Sequence, residues 1–216
     1  PSPHSIFTPS PRAEPSSSAP VSPPLDISRT PIRSVRLFTA LDLPDDVRAQ
    51  YAALQDPDAL DARWTSPSQF HVTLRFLGET ESAQAAEYEN AIATIDAPAA
   101  KCVPYGLDVL PSRRSPSVLI VGLERRASLL SVYRSVSDAL EAKGLEPESR
   151  KYRPHVTLAR LDDLSPETVH HFLDTHDANE LPSFTATRVH LFESTLRPDG
   201  AVHERRISGS LTPPQD

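Results

Sequence analysis

Cysteine is almost missing from this chain. A single one, Cys102, excludes an intramolecular disulfide framework, suits a reducing compartment and reads as a small core residue. No window approaches the roughly 18–20 apolar residues of a membrane span, so a cytoplasmic protein without membrane attachment is expected. The N-terminal stretch lacks an uninterrupted apolar run of about 7–15 residues, which excludes a secretory signal. Surplus positive charge is lacking as well: the formal balance is −7, from 22 Lys and Arg against 29 Asp and Glu. A surface of that sign repels phosphate backbones, so broad nucleic-acid coating is excluded. Residues 1–34 have no helical or strand period. They carry 9 of the 23 prolines, 9 serines and no glycine, and such a stretch buries too little apolar surface to offset chain ordering. A disordered Pro/Ser-rich tail is expected there. Its serines and arginines leave a transit peptide open, although the proline density opposes an amphipathic helix.

About 180 residues remain, enough for one sizeable domain or two intimately packed lobes. VRLFTALDL (35–43) mixes β-branched and aromatic residues and stops at Pro44, which predicts a strand. A helix follows over 43–55, then a strand over 70–77 ended by Gly78, then a helix over 80–95 with Thr80 as N-cap. Strands over 105–110 and 117–123 pair across PSRRSP. The clearest helix covers 127–144, where Leu129, Tyr133, Val136 and Leu140 share a stripe and Gly144 is a natural stop. A strand over 155–161 precedes a helix over 165–176, with Ser165 as N-cap and Pro166 in the first turn. Strands over 184–194 and 201–208 turn near Asp199-Gly200, and 209–216 is expected to be a flexible C-terminus. Each half runs strand, helix, strand, helix. The prediction is an α+β protein of two pseudo-equivalent lobes.

One tetrapeptide occurs twice. His-Val-Thr-Leu stands at 71–74 within FHVTLRFLGE and again at 155–158 within YRPHVTLARL. On a strand, residues i and i+2 leave the same face. His71 and Thr73 therefore point together, as do His155 and Thr157, while the Val and Leu of each copy enter a core. Pairing the halves about a two-fold axis brings two imidazoles and two hydroxyls into one cleft. One neutral and one charged imidazole can respectively take and give a proton, and hydroxyls can donate to phosphoryl oxygens. Basic residues gather locally despite the acidic total: Arg75 in the first copy, Arg113 and Arg114 between, and Arg150, Lys151, Arg153 and Arg160 around the second. A small anionic ligand held at one focus fits them. On a regular strand Arg160 emerges opposite His155, so it needs a bulge or the strand end to reach the cleft.

Both copies resemble the signature of the 2H phosphoesterase superfamily. Within it, the chain is similar to the RNA 2′,3′-cyclic phosphodiesterases, also called 2′-5′ RNA ligases, of the ThpR/LigT type. The resemblance covers 35–208: RLFTALDLP, RW with FHVTLRFLGE, SVLIVGL, AKGL, YRPHVTLAR and the terminal LFES. It implies a single bilobal α+β domain with pseudo-two-fold symmetry, in which two antiparallel sheets line a central cleft and helices lie outside. It also implies metal-independent hydrolysis of 2′,3′-cyclic phosphate at RNA 3′ ends to a 2′-phosphomonoester. By that resemblance His71 is the general acid on the 3′ oxygen and His155 the base that activates water. Thr73, Thr157 and Arg160 hold the phosphate, and no cofactor or metal is needed. Cyclic nucleotides and tRNA halves, the latter joined through a 2′-5′ bond in the reverse reaction, are the implied partners of a monomer. Such proteins begin close to RLF, so a natural start at Val35 is expected; the mass of the natural protein decides.

Two rival readings are weighed against this one. HHFLDTH offers His170, His171, Asp174 and His176 as metal ligands, with His170 and Asp174 sharing a helix face; a solvated helix end explains the cluster better. The other rival is an RNA-end-binding protein without turnover, for which an intact acid and base would be superfluous. His190 and His203 read as structural or exposed. Phe38, Trp64, Tyr105, Tyr152 and Phe192 are either core residues or nucleobase stackers.

Overall fold

The structure is a computed structural model that describes residues 34–176, 180–197 and 200–213. The tail expected over 1–34 lies outside these except for Ser34, as do Asp199 of the predicted turn and the last three residues. Ten strands and four helices alternate along the described chain: β1 (Ser34–Asp42), α1 (Asp45–Ala52), β2 (Arg63–Trp64), β3 (His71–Glu81), α2 (Ser82–Ala93), β4 (Ala100–Cys102), β5 (Pro104–Ser112), β6 (Ser115–Leu123), α3 (Ala127–Glu141), β7 (His155–Arg160), α4 (Pro166–Thr175), β8 (Phe184–Ala186), β9 (Arg188–Arg197) and β10 (Gly200–Ser210). The predicted plan recurs as β1-α1-β3-α2 and β6-α3-β7-α4.

The expected two sheets prove to be halves of one. Its strand order is β10-β9-β1-β3-β7-β6-β5, with β2 paired to β7. Strands β3 and β7 join the halves through one residue pair, Val72 with Val156, beside the β2 pairing of Arg63 and Trp64 with Arg160 and Ala159. Strand alternation divides every side chain at this junction between two faces. Val72, Leu74, Val156 and Leu158 join Leu41, Val121, Tyr51, Ile92, Leu140 and Phe172 in one core, so residues of all four helices cover this face. The other face carries none of them. Phe38, Ala40 and Ile120 are nevertheless buried there, Phe38 among the rings of His71, Phe76, Phe192 and His203. We call this the cleft face.

Helix α3 buries Leu129, Val132, Val136 and Leu140, spaced for one helical stripe; Tyr133 lies at its margin, stacked on Tyr152. Gly144 adopts φ 93 after the helix, as a left-handed stop requires. In α4 the Ser165 side chain accepts from the Thr168 N–H, with Pro166 at the start. The N-cap expected at Thr80 is not one. Gly78 does not end β3 but takes φ 74 at a register shift opposite Leu37 and Phe38. The strand therefore passes through a glycine bulge and continues to Glu81, leaving Thr80 buried within it. Thr187 breaks the strand expected over 184–194, and its first part, β8, pairs with β4 in a separate ribbon. The C-terminus expected to be flexible from 209 is packed through Thr212. Leu211 is buried and its N–H donates to Thr187, while Thr212 and Ala99 bond across to make a bridge.

Arg75, expected beside the anionic focus, is only 4% exposed on the core side. Its Nη1 donates to Glu141 Oε1 at 2.6 Å and its Nη2 to the Glu146 carbonyl at 2.7 Å, tying β3 to the end of α3. Removing the guanidinium leaves a carboxylate and a carbonyl without their donor. Arg75→Ala is therefore expected to lower unfolding free energy by about 1.5–3 kcal/mol, measured by urea denaturation; an unchanged midpoint would show that the pair contributes nothing net.

Candidate active site

Antiparallel pairing of Val72 with Val156 sets the site by register alone. One residue further on, His71 lies across from Thr157 and Thr73 across from His155, all four on the cleft face because both valines are in the core. The two histidines are diagonal neighbours, about 7–8 Å apart at the backbone in a regular ladder. A local two-fold axis through the valine pair exchanges His71 with His155 and Thr73 with Thr157. The four predicted residues thus come together.

Each ring is held in the same way. His71 Nδ1 lies 2.7 Å from the carbonyl of Gln69, and His155 Nδ1 lies 2.7 Å from the carbonyl of Arg153. A carbonyl only accepts, so each Nδ1 carries a hydrogen and each Nε2 is left as the working atom. His71 Nε2 meets the Thr73 hydroxyl at 3.1 Å. The entry to the first motif is fastened by Arg48, which donates to the carbonyls of Leu43, Pro67 and Phe70 and to Asp42. Tyr152, before the second motif, donates to the Thr73 carbonyl at 3.1 Å. It is an inter-lobe strut rather than a free stacking surface.

Both motifs end in a bulge. Thr39 pairs with Arg75 and Ala40 with Thr73, skipping Leu74; Leu119 pairs with Ala159 and Ile120 with Thr157, skipping Leu158. The extra residue resets the alternation. Arg160, paired with Val118, therefore returns to the cleft face of His155 and Thr157, and the parity objection to it is resolved. Phe76, paired with Phe38, does the same in the first half and is 63% exposed. The two-fold axis thus sets an open aromatic ring against an arginine.

The family model described as LigT like phosphoesterase matches residues 41–120 and 121–203, so each matched segment carries one HVTL strand. The chain belongs to the LigT-like phosphoesterases. A curated relative named RNA 2′,3′-cyclic phosphodiesterase, from Aquifex aeolicus, is 29% identical over 148 residues, covering 65% of this chain and 77% of its own. Another of that name, from Aeropyrum pernix, is 32% identical over 138 residues, covering 62% and 78%. The fold agrees with that of E. coli LigT complexed with 3′-AMP, at a TM-score of 0.65 and 21% identity, over 83% of this chain and 99% of that one.

In this phosphoesterase the remaining sequence candidates separate. His170 Nε2 bonds to the Arg113 carbonyl, and His176 stacks on Phe172 and faces Asp56. The HHFLDTH cluster does not converge, and no group of three metal-ligating side chains occurs among the described residues. Arg150 is engaged by Glu148 and Arg113 by Asp108. Trp64 sits beside Phe172, and Phe38 and Phe192 stack on each other at 5.3 Å next to His71. Sequence reasoning missed Phe76, whose only signal was its place two after a motif, and His203. The His203 ring stands edge-on to His71 at 5.4 Å and to Phe38 at 4.8 Å. His190 is buried and bonded to Ser208.

Burial pushes His71 down to about 4, helped by repulsion from His203 and His155 and opposed by the Gln69 carbonyl and Asp42. His155 is also lowered, first by burial and then by Arg153 and Arg160. Asp42 faces His71 across β1 and β3 but is itself held by Arg48 and Arg205. A lowered imidazole pKa means the neutral ring dominates at pH 7, protonating only as pH falls. NMR titration of the ligand-free protein should find His71 neutral at pH 5, and inorganic phosphate between the rings should move both midpoints upward. A free-protein midpoint at or above 6.5 for His71 contradicts this electrostatic account.

Proposed function

We propose that the chain hydrolyses 2′,3′-cyclic phosphate termini of RNA to 2′-phosphomonoesters, with His71 as general acid and His155 as general base. The observation that carries this reading is the Val72–Val156 pair, which sets both histidines on one face, each with its Nδ1 rather than its Nε2 tied to a backbone carbonyl. The names of the curated relatives support the substrate class. Water loses a proton to His155 Nε2 as its oxygen bonds to phosphorus; the P–O3′ bond breaks and O3′ takes a proton from His71 Nε2. Thr73 and Thr157 donate to the non-bridging oxygens, and Arg160 balances their charge. Phe76, Phe38 and Phe192 lie in the half that carries His71. A nucleobase stacked on Phe76 holds its ribose, and so the leaving oxygen, against His71. With a 5′-hydroxyl in place of water, the same groups open the cyclic ester to a 2′-5′ bond.

His71→Ala and His155→Ala should each cost on the order of 10²–10⁴ in rate, with Thr73→Ala and Thr157→Ala milder, on a nucleoside 2′,3′-cyclic phosphate in chelator. Less than tenfold in either histidine variant would speak against its role. Product in chelator separates this reading from a chelator-sensitive metal hydrolase, and binding without product identifies a passive RNA-end binder.

The rate should follow a bell in pH, since one ring must be charged and the other neutral. Because both rings are lowered in the free enzyme, the kcat/KM optimum should fall below 6.5. Bound phosphate stabilises the imidazolium, so the alkaline limb of kcat should lie at higher pH than that of kcat/KM. Coincident limbs would show that the substrate's charge does not act on the acid.

A further inference from the structure

The cleft face does not end at the two motifs. Ala40 pairs with Thr73 on one side and with His190 on the other, and His190 pairs in turn with Ser208. A bulge between Arg205 and Ile207 keeps both Arg205 and Ser208 on this face. Alternation adds Arg188, two residues before His190. Arg188, His190 and Arg205 line a cavity of about 250 Å³ together with Asp42, Thr185 and Thr187. At about 4.8 Å per strand, His190 stands two strands, about 10 Å, from Thr73. Arg188, His190 and Arg205 have no part in the hydrolysis described above.

One wall is a buried histidine with a nitrogen to spare. His190 is only 3% exposed, and its Nδ1 meets the Ser208 hydroxyl at 2.7 Å. That hydroxyl can donate or accept, so Nε2–H is available in the neutral ring and in the charged one. The sealed polar atoms without a partner among the described residues are on Trp64, Ser137 and His203. His190 Nε2 is not one of them, and it opens to the cavity. Arg205 is oriented rather than free: its Nη2 donates to Asp42 Oδ2 at 3.0 Å, which leaves Nη1 and Nε for a ligand. Asp42 is itself satisfied, since its Oδ1 accepts from Arg48 and from the Leu43 N–H. Arg188 forms no ion pair among the described residues. Two guanidinium groups, two threonine hydroxyls and an imidazole are the donor set for a tetrahedral oxyanion. A metal cation would be repelled, and an apolar ligand would strand the donors. We propose that this cavity is a second phosphate site, in which Arg188, Arg205 and His190 Nε2 hold the oxygens. The phosphate is either a free anion or a backbone phosphate of a bound RNA strand, and both present the same oxygens to the same donors. The site needs binding only, and stands whether or not the cyclic ester is hydrolysed.

Histidine-resolved NMR of the full chain tests this. Burial first, then Arg205, push the His190 pKa down to about 4, with Arg188 adding to the effect and Asp42 opposing it. An anion beside the ring favours the imidazolium and reverses that direction. Inorganic phosphate should therefore move the His190 ring signals along a saturating curve of their own, distinct from that of His155, and raise their midpoint. Arg188→Glu, at an exposed position, should weaken the His190 response about tenfold or more and leave the His155 response within about twofold. A His190 signal unmoved by phosphate, one that follows the His155 curve, or one that responds equally in Arg188→Glu, would overturn the site. A dinucleotide ending in a 2′-phosphate then identifies the source. If the site takes a backbone phosphate, this ligand should move His190 and bind about tenfold tighter than a nucleoside 2′-phosphate, an advantage lost in Arg188→Glu. If it takes a free anion, the two nucleotides should bind alike, and inorganic phosphate should still move His190 with either one bound. Neither arm involves turnover, so failure here leaves the hydrolase reading to its own test.

Discussion

The antiparallel contact between Val72 and Val156 is the constraint on which this site depends. Two apolar side chains seek the same core, and a strand cannot turn one residue inward without turning its neighbours outward. Burying the valines therefore exposes His71, Thr73, His155 and Thr157 together on the opposite face. The two-fold axis through that pair makes the two histidines geometrically equivalent. A slip of one residue would move both histidines into the core, so core packing and the convergence of the histidines are the same requirement.

What the axis makes equal, the bulges and flanks make different. Skipping Leu74 and Leu158 returns the sixth residue of each motif to the cleft, where one half presents Phe76 and the other Arg160. Next to the motifs, Arg75 is buried against Glu141 whereas its counterpart Ala159 packs in the core. Aromatic surface accordingly gathers around His71, and the cations Arg153 and Arg160 around His155. A symmetric pair of imidazoles thereby acquires an aromatic side and a charged side.

The electrostatics follow from the same packing. Burial desolvates both imidazoles and favours their neutral form. The carbonyls of Gln69 and Arg153 fix which nitrogen is free, and Asp42 is balanced by Arg48 and Arg205 rather than left to charge His71. A bound anion would favour the imidazolium form, so on the function proposed above protonation of the site is tied to occupancy.

Much of this was legible along the chain. Alternation within HVTL assigned the faces, the stripe in α3 and the Ser165 cap located helices, and the repeat itself implied two lobes. These features are encoded within a few consecutive residues, where backbone period and local hydrogen bonds decide. The Thr80 cap, the broken strand at Thr187 and the packed C-terminus were misread because each depends on a distant partner. Gly78 looks the same in sequence whether it ends a strand or passes a bulge. The return of Arg160 to the cleft, the burial of Arg75 and the approach of His203 to His71 were likewise decided only by tertiary pairing. A bulge is defined by the strand opposite it, and an ion pair or ring contact by an element far along the chain.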